Sequence, residues 1–417
     1  MIREPDRALL VSLSWFILSS GIGIASCSAD GGWQTPNDRA FDVPSATLQI
    51  THSAVPATSP ERDRLRVELD SAFSTRFEEA ARSHLRSPSG VAVDNWGRIY
   101  VYDTEGYRIL VFDPSGRLIN NIGGKVGQGP GAFGRGGMIA VDGERLIYIR
   151  SWGRMSVWNL DGVHLLTRQF GRLPVVNTVE GAQQATGFVG AYRRQDMERN
   201  ERSVARISVD GDVDTVYTTV EDPGEVALTR FSGTSGIRMS TGIRNGEPGL
   251  AVSPESMVYI SDAQEYEVLA VTVAGEPVWR LTVAWDRITV TEDAVREAMR
   301  RVHTSFPDAE QSEIDWPSFH PALSIEGIAP RRLGSPIRVD GLGRLYVFPL
   351  PDVSDLEAGE LRPVDVYRRD GGRILAGVMP TISWLAAFKD WIYGLEETED
   401  GRLRVVRYRI GPLPETR

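Results

Sequence analysis

The sequence predicts an all-β protein, a six-bladed β-propeller with a short helical insertion between blades 4 and 5. Four short β-type segments recur along the chain, and the copies lie about 40 to 50 residues apart, which is the pattern of propeller blades. A tyrosine in the second segment marks the clearest copies: Tyr100, Tyr148, Tyr259, Tyr346 and Tyr393. The composition, 41% hydrophobic and 24% charged, is that of a folded chain and argues against a collagen-like or disordered one.

Six copies account for the segment 61–417, which we predict to be the propeller domain. In the first copy, 90–119, the segments GVAVD, GRIYVYD and RILVFD alternate apolar and polar residues and are separated by turn residues. The other copies lie at 138–166, 187–217, 249–281, 336–378 and 383–410. A blade buries both faces against its neighbours, so its inner strands can be apolar while its turns stay polar.

The first copy resembles the NHL-repeat family of propellers. The resemblance lies in GVAVD, GRIYVYD, RILVFD-x-x-G and the GQGPGAF segment at Gly127–Phe133, and it loosens beyond residue 135. It implies that Asp103 and Arg108 lie on adjacent strands. The chain as a whole is similar to six-bladed propeller lipoproteins of the bacterial envelope, most of which have no assigned activity.

Closure of the ring requires a strand from the N-terminal side, because the last copy ends before a complete fourth strand. Two segments alternate suitably, Thr47–Thr51 (TLQIT) and Arg64–Leu69 (RLRVEL). Either would leave the last blade without an open sheet edge, which is a hazard for association.

The N-terminus predicts export and lipid anchoring. Residues 1–26 have the form of a signal peptide, with the uncharged run Ala8–Ala25, and Ile24-Ala25-Ser26-Cys27 resembles the bacterial lipobox. The resemblance implies that Cys27 carries the lipid, and Ser28 after it favours the outer membrane. Cleavage without lipid and a retained membrane helix are the alternatives. Residues 27–60 are rich in Ser, Thr, Pro, Asp and Gly and are predicted to be a flexible tether.

The segment 288–322 departs from the blade rhythm. Thr291–His303 has an N-cap threonine, acidic residues in its first turn and an apolar face at helical spacing, so we predict a helix there. Its arginines would form a cationic patch on a chain of net charge −10. The predicted binding surface consists of Arg296, Arg300, Arg301, Trp316 and His320.

Three motifs that suggest cofactors or metals have simpler interpretations. The GxGxxG match at 129–134 is followed by a strand pattern, whereas a dinucleotide site requires a helix there. Asp210, Asp212, Asp214 and Glu221 have EF-hand spacing, but Thr215 stands where the calcium loop requires glycine, so a hairpin turn is preferred. The five histidines are scattered, and we predict no metal or cofactor.

The predicted function is a lipid-anchored binding or scaffold module for an envelope protein, peptide or glycan. The chain has no GxSxG motif, and we expect no catalytic residues. The acidic net charge argues against nucleic acid as a partner. The alternative is a metal-dependent hydrolase resembling gluconolactonase. It is suggested by Asp94, Asp142 and Asp340, which recur at one blade position and which we interpret as turn residues.

Overall fold

The structure is a computed structural model. The residues that it describes are 47–55, 62–81, 85–124, 126–127, 129–134, 137–141, 145–150, 154–169, 175–181, 187–195, 200–208, 213–221, 227–233, 238–243, 249–262, 266–284, 288–289, 309–314, 324–325, 337–349, 361–380, 382–398 and 401–413. The chain divides into two compact units. The propeller unit is made of 43–222, 245–288 and 325–417, and the insertion unit includes 223–244 and 289–324.

The propeller unit contains six sheets in chain order, so the prediction of an all-β six-bladed propeller is confirmed. Within each sheet, consecutive strands pair antiparallel. Blade 1 consists of Pro88–Val93, Ile99–Asp103, Arg108–Phe112 and Leu118–Gly123. Blade 2 consists of Met138–Val141, Arg145–Arg150, Arg154–Asn159 and His164–Gln169. Blade 3 consists of Val175–Gly181, Gly187–Gln195, Asn200–Ser208 and Val213–Glu221. Blade 4 consists of Gly249–Val252, Met257–Asp262, Glu267–Thr272 and Pro277–Ala284. Blade 5 consists of Ile337–Val339, Leu345–Val347, Leu361–Tyr367 and Arg373–Pro380. Blade 6 contains Ala386–Phe388, Trp391–Glu397 and Leu403–Ile410.

Hydrophobic cores lie between adjacent blades. The marker tyrosines are all in second strands, and Tyr100, Tyr259, Tyr346 and Tyr393 are fully buried. Blades 1 and 2 share one core, blades 4 and 5 another, and blades 5 and 6 a third. Each blade therefore depends on its neighbours for burial, which is why closure of the ring contributes to stability.

The N-terminal strap, residues 47–69, is described at 47–55 and 62–69, and these two parts add strands to the outer edges of three successive blades. Leu48–Ser53 pairs parallel to the last strand of blade 4, and Asp63–Arg64 pairs parallel to the last strand of blade 5. Val67–Leu69 pairs antiparallel to Leu403–Ile410 and supplies the missing fourth strand of blade 6. The ring is therefore closed by the 64–69 candidate.

The other closing candidate, 47–51, does not close the ring. Leu48–Ser53 is instead a fifth strand on blade 4, where Ile50 packs against the core that contains Trp279. The physical reason is that pairing with Pro277–Ala284 covers the outer edge of blade 4 and lets Ile50 pack against that core.

Helix α1, Ser71–Ala81, follows the strap and was not predicted from the repeat pattern. Asp70 caps it, because its Oδ1 accepts a hydrogen bond from the amide of Phe73 at 2.9 Å. Phe73 and Phe77, four residues apart on one face, are fully buried against blades 1 and 6. The helix thus covers the junction at which the ring closes.

The insertion unit contains a three-stranded antiparallel sheet. Ala227–Gly233 is its central strand, between Arg238–Ile243 and Ala309–Ile314. Ile288–Thr289 and Ser324–Ile325 form a separate two-stranded sheet. The predicted helix Thr291–His303 lies outside the described residues. No helix in the described part of the chain is long and apolar enough to cross a membrane.

Candidate functional site

The recurring aspartate after the first strand of a blade organises a turn. In blade 1, Asp94 is fully buried, and its Oδ1 accepts hydrogen bonds from the amides of Trp96 at 3.0 Å and Arg98 at 2.8 Å. Its Oδ2 accepts hydrogen bonds from Arg98 Nε at 2.6 Å and the hydroxyl of Tyr100 at 3.2 Å. Both carboxylate oxygens are therefore directed at groups of the same hairpin.

The same arrangement recurs in blade 5. Asp340 accepts hydrogen bonds from the amides of Leu342 and Arg344, from Arg344 Nε at 2.6 Å and from the hydroxyl of Tyr346 at 2.9 Å. Burial raises the pKa of the Asp340 carboxyl, although Arg344 opposes this effect. The interpretation as turn residues is confirmed for Asp94 and Asp340, whereas Asp142 lies outside the described residues.

Asp103 ends the second strand of blade 1 and is also fully buried. Its Oδ1 accepts hydrogen bonds from the amides of Ser87 at 2.9 Å and Arg86 at 3.3 Å, and its Oδ2 accepts one from Arg108 Nε at 3.3 Å. Asp103 and Arg108 are opposite one another on adjacent strands, as the resemblance implies. This carboxylate binds the chain as it enters blade 1.

A cationic cluster lies at one edge of blade 5. Arg338 is on the first strand, Phe348 directly follows the second, and Arg362 is near the start of the third. Because these strands are antiparallel, the start of the first, the end of the second and the start of the third meet at one edge. We call these three residues the blade 5 edge cluster.

The guanidinium of Arg362 is held by packing. Its Cζ lies 3.8 Å from the centre of the Phe348 ring, and Phe348 in turn meets Trp384 of the blade 5–blade 6 core edge to face. The residue is 7% exposed, and its Nε has no hydrogen-bond partner among the described residues. Buried polar groups are ordinarily hydrogen-bonded, so this donor is an exception that requires an explanation.

Arg338 contributes a second positive charge to the cluster. Its Nε donates a hydrogen bond to the carbonyl oxygen of Trp384 at 2.8 Å, which fixes its position between blades 5 and 6. Burial, together with the charge of Arg338, lowers the pKa of Arg362 to about 9. Arg362 therefore remains cationic at neutral pH, and the cluster can attract an anion.

The described histidines His52 and His164 are within hydrogen-bond distance of groups of the propeller unit. His52 Nε2 is 3.1 Å from the carbonyl oxygen of Gly371, and His164 Nε2 is 2.8 Å from the Thr167 hydroxyl. Within the described ranges, no three His, Cys, Asp or Glu side chains are grouped so that they could hold a metal ion.

The GxGxxG match and the EF-hand-like residues both lie in or next to β-strands of the propeller. The segment 129–134 lies between the strands Leu118–Gly123 and Met138–Val141, so a strand and not a helix follows its glycines. Phe133 of this segment is buried and stacks on Trp158. Of the EF-hand-like residues, Asp214 and Glu221 lie in the strand Val213–Glu221, which pairs antiparallel with Asn200–Ser208, whereas Asp210 and Asp212 lie outside the described residues.

The predicted site residues lie outside the part of the chain that the structure describes. These are the lipidation site Cys27 and the binding-surface residues Arg296, Arg300, Arg301, Trp316 and His320.

The blade 5 edge cluster was not predicted from the sequence, although one signal was available. In the strand Leu361–Tyr367, alternation places Arg362 on the same face as Val364 and Val366, and both valines are fully buried. An arginine at an inward-facing position of a strand is rare unless it is paired. The alternation pattern alone could therefore have marked Arg362.

Comparison with known proteins supports the fold. Residues 68–233 match the family model DUF5128, which is described as a 6-bladed beta-propeller. No curated protein matches this chain.

Similar solved structures include a Bacteroides fragilis protein that is described as an exported protein. It is 10% identical at a TM-score of 0.45, and the match covers 88% of this chain and 99% of that one. A gluconolactonase from Xanthomonas campestris is 15% identical at a TM-score of 0.39, covering 86% of this chain and 98% of that one. The calcium-binding protein regucalcin from Agrobacterium tumefaciens is 10% identical at a TM-score of 0.37, covering 88% of this chain and 96% of that one. No activity is carried over from these distant similarities.

Proposed function

We propose that the protein is a lipid-anchored, extracytoplasmic binding module that holds an envelope protein, peptide or glycan and does not catalyse a reaction. The observation that carries the proposal is a contrast between buried charges. The buried carboxylates of Asp94, Asp103 and Asp340 are bonded to their own hairpins or to the adjacent chain, whereas Nε of the buried Arg362 has no hydrogen-bond partner among the described residues. Among these four buried charges, the one whose donor is left without a partner is therefore cationic.

The alternative, a metal-dependent hydrolase, requires carboxylates that converge on an ion. Hard cations take several oxygen ligands from side chains that point to a common centre. Asp94 and Asp340 each accept four hydrogen bonds within their own turns, so their oxygens are committed to the backbone and to arginine. The recurrence that suggests a metal site has a structural cause.

The envelope location is part of the same proposal. The lipobox-like Ile24–Cys27 and the signal-like residues 1–26 support export and anchoring through Cys27, with Ser28 favouring the outer membrane. The NHL-like character of the repeats is also proposed, and it is supported by the turn that Asp94 and Asp340 share.

The predicted binding surface remains the second element of the proposal. Its residues, Arg296, Arg300, Arg301, Trp316 and His320, belong to the segment 288–322, and its arginines would add a local positive charge to an acidic chain. Carboxylate-bearing partners and glycans suit such a surface.

The proposal is tested with lipid-free protein, residues 28–417, incubated with envelope extract and then separated from unbound material. Mass spectrometry identifies what is retained, and elemental analysis measures the metal content of the same sample. We expect a specific retained component in a fixed ratio to the protein and no stoichiometric metal. The matched variant lacks 288–322. If it retains the component equally well, that segment is not part of the binding surface.

A further inference from the structure

Arg362 combines features that a purely structural arginine does not share. It is 7% exposed, its Nε lacks a partner among the described residues, and its guanidinium lies against a ring and not against a carboxylate. The other buried arginines among the described residues have partners: Arg62 pairs with Asp365, Arg407 pairs with Asp70, and Arg154 donates a hydrogen bond to the carbonyl oxygen of Gly129. Burial of an uncompensated charge opposes folding, so a functional reason for Arg362 is expected.

The contact with Phe348 supplies no hydrogen bond to the guanidinium, and Nε has no partner among the described residues. Arg362 Cζ lies over the Phe348 ring, 3.8 Å from its centre, and a ring offers no carboxylate oxygen to the N–H donors of a guanidinium. Packing against the ring therefore restricts rotation of the group without occupying its donors. A planar, fixed set of donors is suited to recognising a ligand with two acceptor oxygens.

We propose that Arg362 binds the carboxylate of a small organic ligand at the edge of blade 5, with Arg338 adding positive charge and Phe348 holding the guanidinium in place. This inference rests on the proposed function as a binding module and names the chemistry of one ligand. It concerns an end of blade 5 that is separate in sequence from the predicted surface in 288–322.

A carboxylate fits this cluster better than phosphate does. The surroundings of Arg362 are apolar: Phe348, Val364 and Trp384 belong to the core between blades 5 and 6. Removing water from a doubly charged phosphate costs more than removing it from a singly charged carboxylate. The apolar neighbours also provide a surface for the hydrocarbon part of an organic acid.

The test is calorimetric titration of lipid-free protein, residues 28–417, at constant ionic strength. The probes are acetate and benzoate, with benzamide as the uncharged counterpart of benzoate and inorganic phosphate as the competing anion. We expect saturable binding of benzoate and weaker binding of acetate, with none of benzamide or phosphate.

Arg362→Met should weaken benzoate binding by about tenfold or more, because a charge-assisted pair is lost. Arg368→Met is the matched control, since Arg368 belongs to the same blade but is exposed and paired with Asp370. It should bind like wild type.

Thermal unfolding separates this role from a structural one. Without ligand, Arg362→Met should unfold at the wild-type temperature or above it, because methionine keeps the contact with Phe348 and removes a buried charge. Unfolding well below wild type would mean that the guanidinium has a partner within the chain and would overturn the proposal. So would the absence of saturable benzoate binding, its persistence in Arg362→Met, or a preference for phosphate. If envelope extract still yields a retained component in those cases, the carboxylate site is wrong and the binding module stands.

Discussion

Arg62 and Asp365 form a buried ion pair between the N-terminal strap and blade 5, with 3.0 Å between Nη1 and Oδ1, although they are 303 residues apart in sequence. Arg62 also donates to the carbonyl oxygens of Gly377 at 2.9 Å and Val55 at 2.5 Å. Asp365 accepts a second hydrogen bond, from the Tyr266 hydroxyl at 2.7 Å. The pair thereby fastens the N-terminal strap to blade 5 beside its interface with blade 4.

Removing one partner of this pair should destabilise the protein strongly. We expect Arg62→Met to lower the free energy of unfolding by about 3–5 kcal/mol, because the Asp365 carboxyl is left buried without its cation. Urea denaturation followed by tryptophan fluorescence measures the change. Arg66→Met is the control on the same strap, since Arg66 pairs with Glu68 at the surface and should contribute less than about 1 kcal/mol. Equal effects of the two substitutions would mean that the buried pair does not fasten the strap.

Loss of the strap should open the ring. A protein that begins at residue 70 lacks Val67–Leu69, so the last strand of blade 6 loses its backbone partner and apolar surface becomes exposed. We expect a lower unfolding temperature by circular dichroism than for a control that begins at residue 47 and retains the strap. If both proteins unfold at the same temperature, the strand Val67–Leu69 does not stabilise the closed ring.

The turn carboxylates should behave alike in separate blades. Asp94→Asn and Asp340→Asn should each lower the free energy of unfolding by about 1–3 kcal/mol, since each weakens a charge-assisted network around a buried group. Asp113→Asn, in an exposed turn with the same kind of bonds, should have a smaller effect. These values come from urea denaturation with and without EDTA. A loss of wild-type stability caused by EDTA would contradict the role of these carboxylates as turn residues.

The cap of helix α1 should make stability depend on acid pH. Burial raises the pKa of Asp70, but hydrogen bonds from Arg407 and from the amide of Phe73 outweigh it and keep that pKa below 3.8. Because the folded value is the lower one, this stabilisation is complete above pH 3.8 and is lost as pH falls through the folded pKa.

We therefore expect the difference in the free energy of unfolding between wild type and Asp70→Asn to shrink as pH falls below 3.8. Urea denaturation at a series of pH values measures it. Glu68→Gln, at a side chain that is 53% exposed, should change stability little at any pH. A difference for Asp70→Asn that is constant with pH would show that the charge of Asp70 is not what stabilises the cap.

Lipid attachment at Cys27 predicts a change of cellular fraction. Cys27→Ala should move the protein from the membrane fraction to the soluble fraction or leave it as unprocessed precursor, because two acyl chains are needed for stable anchoring. Fractionation followed by immunoblotting measures this, with Ser26→Ala as a control that keeps the thiol. Membrane association that persists in Cys27→Ala and resists washing without detergent would indicate a retained helix instead.

The blades could be predicted from the sequence because each repeats a local rule. Alternation, turn residues and the buried tyrosine recur, and neighbouring copies bury one another. The path of the strap could not be predicted, since TLQIT and RLRVEL have equivalent alternation, and the edge that each one joins depends on long-range pairing. Helix α1 was not predicted, because its apolar face is marked mainly by Phe73 and Phe77, and one pair of residues at helical spacing is a weak indication of a helix.

The candidate site was predicted only in part. The turn role of Asp94 and Asp340 follows from their constant place in the repeat. Arg362 carries no motif, and its burial results from strands of blade 5 that meet core residues of blade 6. Its inward position in the strand Leu361–Tyr367 was the one available indication.

The measurement that tests the proposed function most directly is turnover of a lactone by purified lipid-free protein. Glucono-1,5-lactone is followed with calcium, magnesium, zinc or manganese added in turn, and with EDTA, against the spontaneous rate. A binding module whose buried carboxylates are committed to turns should leave the spontaneous rate unchanged under every condition. Metal-dependent hydrolysis that EDTA abolishes would contradict the binding-module account and favour the hydrolase.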